Sequence, residues 1–383
     1  MSHSKVEVLT PASRSRLLGL TGAMGFIMYG IGFSIPLLKH DLGISRAVAS
    51  IHNIGFASAI TVTSFVIPKL IHKYSPRDVM RAGWILTIAS VLVFAIGRSL
   101  FITIPAIAVA GVAGTLFNNT NAVTVGQSVG MSIRVLLRQA GIATLSGAMA
   151  PSAIGILTRS GVSWRVTISI FAVILGTIAL LILPNVPDRF SAKKVKGARH
   201  WDKSLLILVG FGFAGNSLEV TTGAWALDLL ISRGAELSAA VVLVTVFTYG
   251  IGGGRIVLSF TSKLAPRKLW NYSCALVAVG LLIIIFATNM PVTMIGLVVT
   301  ALGIGPIAVL AVERAMVGPK GADAGMAANV IGAGPIMGIG PWMMGWVSDR
   351  SGFSIAYCIP LFMLVVASGF YIATAQDDKS RIT

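Results

Sequence analysis

Charge is what this chain has least of. Asp, Glu, Lys and Arg together make up 11% of its 383 residues, while 55% are hydrophobic and the mean hydropathy is +0.86. Soluble globular domains carry about 25% charged residues. A water-facing fold cannot hide this much apolar surface, so the composition requires an integral membrane protein. Acids are the scarcer sign, 13 against 30 Lys and Arg. The net charge of +17 does not point to nucleic acid, because the bases do not gather on one face of a soluble domain. They fall in short clusters between apolar runs, which is how membrane topology is written. The two cysteines, Cys274 and Cys358, both lie in apolar runs and give neither a disulfide framework nor a metal site. No His-Glu-x-x-His and no phosphate loop ending in Gly-Lys-Ser/Thr occurs, so no enzyme constellation and no cofactor is expected. "GFGFAG" at 210–215 has the spacing of a dinucleotide fingerprint, but it lies inside an apolar run with no strand before it. Small residues there let helices approach closely. The N-terminus has no short apolar segment followed by a cleavage site, so residues 1–16 read as a cytoplasmic tail.

What the chain has in abundance is spanning length. A membrane helix needs about 20 mostly apolar residues. Such runs lie near 17–38, 48–68, 82–98, 102–124, 139–158 and 164–184, then near 204–231, 237–258, 269–288, 291–312, 324–347 and 353–375. Residues 269–312 contain no charge, which is too long for one span, and "TNMPV" at 288–292 supplies a turn in the middle. The expectation is an all-α membrane protein of 12 transmembrane helices. The tails and even-numbered loops hold 22 Lys and Arg, the odd-numbered loops 7. The positive-inside rule then places both termini in the cytoplasm. The stretch 185–203 reads as a basic cytoplasmic linker between two bundles, 17–184 and 204–375, and 376–383 as a second tail.

The two bundles echo each other at an offset of 190. "HKYSPRDV" at 72–79 lies over "SKLAPRKL" at 262–269, Pro151 over Pro341 and Gly155 over Gly345. "TRSGVS" at 158–163 lies over "DRSGFS" at 349–354, one residue out of step. Two six-helix repeats around a central site are the architecture of many secondary transporters. With its 6+6 spans, basic central loop and paired 2–3 and 8–9 loops, the chain resembles the major facilitator superfamily over its whole length. That family's loop signature is worn here: Pro68, His72, Lys73, Ser75 and Arg77 stand in the first loop, and Ser262 replaces the Asp of the second. "GVAGTLFNNTNAVTVGQ" at 111–127 and the stretch 219–255, with an acid, then a Trp, then Gly-Arg, resemble the fucose-permease-like branch. The resemblance implies alternating access, a monomer and a sugar-like solute.

One acid stands apart. Twelve of the 13 lie in tails, loops or near span ends, and only Glu219 falls at mid-membrane depth. Asp228, about 14 Å further along the helix, belongs near the outer surface. A charge at mid-depth costs about 2.5 kcal/mol or more on insertion scales, so Glu219 should face a cavity and not lipid. No Lys or Arg is expected at its depth, and a carboxyl desolvated without a cation is suited to taking up and releasing a proton. Asn216 and Thr222 fall on its face at i−3 and i+3. Tyr29 and Tyr249 lie at similar depth as cavity walls, and Trp225 follows further along the Glu219 span as a candidate cavity residue. Asn118, Asn119 and Asn121 in the fourth span serve either as helix–helix hydrogen bonds or as solute ligands. Arg255 lies about one turn inside the cytoplasmic end of the eighth span, where it either snorkels or acts as a gate. The expected function is proton-coupled import of a small polar organic solute through the cell membrane. The alternatives are proton-driven efflux of drugs or metabolites, and a membrane receptor or scaffold that does not transport.

Overall fold

The computed structural model describes residues 9–129, 133–183, 203–261, 265–317 and 322–379, and these contain helices and no strand. The first half holds α1 (Pro11–Leu42), α2 (Arg46–Ala49), α3 (Ile51–Lys73), α4 (Pro76–Ile96), α5 (Leu100–Val129), α6 (Ile133–Arg159) and α7 (Trp164–Ile182). The second holds α8 (Lys203–Ala224), α9 (Ala226–Ser232), α10 (Leu237–Thr261), α11 (Pro266–Phe286), α12 (Met290–Val317), α13 (Ala322–Ala356) and α14 (Cys358–Lys379). Local chemistry sets many of the starts. Thr10, Ser45, Ser75 and Ser163 accept backbone N–H bonds as N-caps, and Pro11, Pro76 and Pro266 sit in first turns, where a missing N–H costs nothing.

Ten described helices are long and apolar enough to cross a membrane, and α13 with α14, bent by 73° at their break, adds one more by the same criterion. The last two expected spans fall on that bent pair. The uncharged stretch does turn, between Phe286 and Met290. The expected span 204–231 is not one helix. It breaks at Trp225 (φ −117, ψ 18), which separates α8 from α9. The expected linker lies outside the described residues, except for Lys203.

The same helix pairs meet in both halves. In the first, α1 packs on α6, α3 on α5, and α4 on α5 and α7. In the second, α8 packs on α13, α10 on α12, and α11 on α12 and α14. In the α4/α5 hairpin, a Cβ on Gly83 would come within 2.9 Å of the Ala113 carbonyl oxygen. In the α11/α12 hairpin, a Cβ on Gly303 would come within 2.7 Å of the Ser273 oxygen. These are the same two positions 190 residues on, with the glycine on the opposite partner. Among the described residues, the four with positive φ are Gly43, Gly161, Gly234 and Gly352, two pairs each 191 apart, at turns where a side chain would be strained.

The halves meet along two seams, α6 on α10 and α3 on α13. Glycines line both. Gly141 and Gly252 lie against Ile256 and Leu145 on the first seam, and Gly334 and Gly338 against Thr61 and Ile54 on the second. Between the seams the halves stand apart and leave a cavity.

Candidate functional site

The cavity has a volume of about 490 Å³, within the 300–1,000 Å³ range of small-molecule sites. Side chains of α1, α3 and α5 form one wall and those of α8, α10 and α13 the other. Most of the lining is apolar, with Phe33, Phe56, Ile107 and Phe247 prominent. A short set of polar groups interrupts it.

Glu219 is the centre of that set. It lies in α8, half-buried, and its carboxylate joins both halves. Tyr29 of α1 donates its hydroxyl to Oε1 at 2.8 Å, and Arg255 of α10 pairs with Oε2. Arg255 uses its whole fork. Nη1 donates to Thr144 Oγ1 of α6 at 2.6 Å, Nε donates to the Gly305 carbonyl of α12 at 3.0 Å, and Nη2 reaches Glu219. The Tyr29 hydroxyl and Thr144 Oγ1 lie 3.3 Å apart, which closes a ring of four side chains, two from each half.

This overturns two expectations. Glu219 does have a cation at its depth, and Arg255 does not snorkel: it is 5% exposed and bonded inward. The physical reason is direction. A helical Cα–Cβ bond tilts toward the helix N-terminus. The N-terminus of α10 lies at the far end of the bundle, so the Arg255 side chain points toward the middle and not toward the nearer surface. Counting residues from the helix end gives the depth of its Cα and misses that of its guanidinium.

The other expected residues divide. Asn216, Trp225, Asn118 and Asn119 line the cavity. Trp225 also donates its indole N–H to the Pro341 carbonyl at 2.8 Å. Three do not line it. Asn121 turns into the first half and donates to Thr21 Oγ1 at 2.7 Å. Thr222 is fully buried away from the cavity, and Gly223, one residue on, takes the lining position. Tyr249 is 39% exposed on the outer face of α10. Sequence reading missed Thr144, for which no local signal exists. It also missed Asn53, which lines the cavity. A signal for the Tyr29–Glu219 contact was present: the two stand 190 residues apart, the repeat offset, so they are equivalent positions meeting at the boundary between the halves.

A second ionic cluster sits at the end of the bundle that carries the turns 43–45 and 233–236. Lys39 of α1 pairs with the buried Asp228 of α9 at 2.6 Å, and His40 Nε2 lies 3.6 Å from the same carboxylate. Arg46 of α2 pairs with Asp349 of α13 at 2.8 Å and approaches Asp228 at 3.8 Å. The Ala47 N–H donates to the other Asp349 oxygen. Every one of these contacts crosses between the halves. Among the described residues no group of three or more His, Cys, Asp or Glu could hold a metal.

The family model described as Major Facilitator Superfamily matches residues 17–308. No curated protein matches significantly. Among solved structures, that of the nucleoside transporter NupG, in a mutant form, is similar with a TM-score of 0.73 and 12% identity. The similarity covers 95% of this chain and 99% of that one, a likeness of fold.

Proposed function

Because the chain belongs to the Major Facilitator Superfamily, a family of transporters and not of enzymes, we propose that it imports a small polar organic solute by alternating access, coupled to a proton. The observation that carries this reading is the ring of Glu219, Tyr29, Arg255 and Thr144 on the cavity wall. It is the point where an acid, a base and the boundary between the halves coincide. A carboxylate can hold either Arg255 or a proton, so protonation of Glu219 frees Arg255 and resets the two bonds of the ring that cross between the halves, Tyr29 to Glu219 and Arg255 to Thr144. A solute donor at the cavity face of Glu219 competes for the same lone pairs. Proton and solute therefore act on one element that has two arrangements, as coupling requires.

The solute is a small, mostly uncharged organic molecule, since the lining is apolar with scattered amides and hydroxyls. The nucleoside carried by the structural neighbour and the sugar-like solute implied by the branch resemblance both fit that description. The same proposal includes twelve spans, both termini in the cytoplasm, a monomer and residence in the cell membrane. The test is Glu219→Gln in proteoliposomes. The amide keeps size and hydrogen bonding and mimics the protonated state. The variant should exchange labelled solute across the membrane but fail to accumulate it under an imposed pH gradient. Accumulation at the wild-type level would remove Glu219 from coupling. Outward accumulation by the wild type would replace import with efflux, and binding without flux would leave a receptor.

A further inference from the structure

Pro341 of α13 marks one depth on both cavity walls. Its carbonyl oxygen accepts from Trp225 Nε1 at 2.8 Å and from Ser50 Oγ at 3.2 Å. Trp225 stands at the α8–α9 break on one wall and Ser50 at the α2–α3 junction on the other. Both chains run deeper from that mark, α8 backward to Glu219 over six residues and α3 forward to Asn53 over three. At a rise of 1.5 Å per residue these are about 9 and about 4.5 Å. Asn53 and Glu219 therefore stand within about one helical turn of the same depth, across the cavity from each other. The packing of α13 agrees. Gly338 lies against Asn53 and Ile54, and Gly340 lies against Thr221.

The Asn53 side chain lines the cavity, and among the described residues its amide meets no hydrogen-bond partner. Of the other three cavity asparagines, Asn119 donates to Ser64 Oγ at 3.3 Å and Asn216 to the Gly212 carbonyl at 2.7 Å, while Asn118, like Asn53, meets no partner among the described residues. Among the described residues Glu219 is the one charged residue in the lining, and Arg255 neutralises it from behind with each of its three nitrogens already bonded to the protein. While Arg255 and Glu219 are paired, an ionic solute would lose its water and find no free counter-charge. A neutral solute meets an acceptor at Glu219 and, at Asn53, a donor and an acceptor side by side.

We propose that Asn53 is a specificity-determining residue, and that the cavity takes an uncharged solute held between Glu219 and the Asn53 amide by a paired donor–acceptor edge. A vicinal diol or a cyclic amide has that edge. The inference rests on the transport reading of the same cavity. It is tested on the full chain in nanodiscs with uridine and glucose as uncharged probes. Uridine monophosphate, glucuronate and glucosamine are their charged counterparts. Uridine or glucose should bind, and its charged counterparts should bind at least about tenfold more weakly. Asn53→Ala should weaken the bound neutral probe by about tenfold, the scale of one well-made hydrogen bond. Asn53→Asp, which keeps the shape but loses the donor and adds a charge, should weaken it further. Asn53→Ala should leave the melting temperature without probe unchanged. A charged counterpart that binds as well as its parent, no binding by either neutral probe, or unchanged affinity in Asn53→Ala would each overturn the proposal. Counterflow of the same labelled probe separates the two readings. Binding that is lost in Asn53→Ala, with no counterflow in the wild type, removes transport and leaves Asn53 in place. Counterflow indifferent to Asn53→Ala removes Asn53 alone.

Discussion

Two ionic clusters join the halves of this molecule, and their surroundings differ. At the cavity, one acid and one base meet, and the acid keeps a face toward open volume. At the bundle end, Lys39, His40 and Arg46 converge on Asp228 while Arg46 also holds Asp349, and none of the five lines the cavity. The first cluster can exchange a protein partner for a proton or a solute. The second can only be made or broken as the halves close or part at that end. On the proposed mechanism the same pair chemistry serves coupling in one place and a latch in the other, and the difference is what the remaining lone pairs face.

The strongest way to break this comparison is to remove the cavity base. Arg255→Ala strands a half-buried carboxylate, a change that costs about 3–5 kcal/mol in a fully buried pair and less where the acid faces open volume. The variant should melt well below the wild type and lose transport. Adding Glu219→Gln should recover most of the melting temperature, because no charge is then left unpaired, and should not recover accumulation. A double variant no more stable than Arg255→Ala would show that the two residues are not coupled.

Breaking the latch should act on accessibility more than on chemistry. Asp228→Asn leaves Lys39 without its counter-charge. A cysteine placed at Phe33, on the cavity wall, should then react several-fold faster with an impermeant thiol reagent added from outside, in a chain freed of Cys274 and Cys358. The exchange Lys39→Asp with Asp228→Lys should restore slow labelling. Labelling unchanged by Asp228→Asn would reduce the end cluster to a static contact.

Tyr29→Phe removes one donor from Glu219 and leaves Arg255 in place. A single neutral donor to a charged acceptor is worth about 1.5–3 kcal/mol. Affinity for transported solute should therefore change by roughly ten- to a hundredfold, less than the loss on removing Arg255. The smallest effects belong to Tyr249→Phe and Thr222→Ser, at positions that belong to neither cluster. Transport within about twofold of wild type is expected in both. A severe defect in Tyr249→Phe would mean that the outer face of α10 takes part in transport.

The sequence marked Glu219 by elimination, because acids are so few that one at mid-depth is conspicuous. It marked Asn118, Asn119, Asn216 and Trp225 as polar positions on spans without saying which way they face. It could not separate Asn121, one helical turn from Phe117, as a residue that turns into the bundle and not toward the cavity. Nor could it show the break at Trp225, where Gly223 is a lone glycine inside an apolar run and no proline or cluster of turn residues accompanies it.

Composition and hydropathy alone determined that this chain lies in a membrane, that it is built of helices, and that the 44 uncharged residues from Leu269 to Val312 fold back on themselves. Those properties follow from the cost of placing charge and unbonded backbone in lipid, and that cost is read residue by residue. Tertiary structure alone decided that Arg255 neutralises Glu219, that Thr144 completes their ring, and that Asn53 lines the same cavity. These depend on helix direction, tilt and side-chain reach, which bring together atoms from helices far apart in the chain, and no local pattern encodes such meetings.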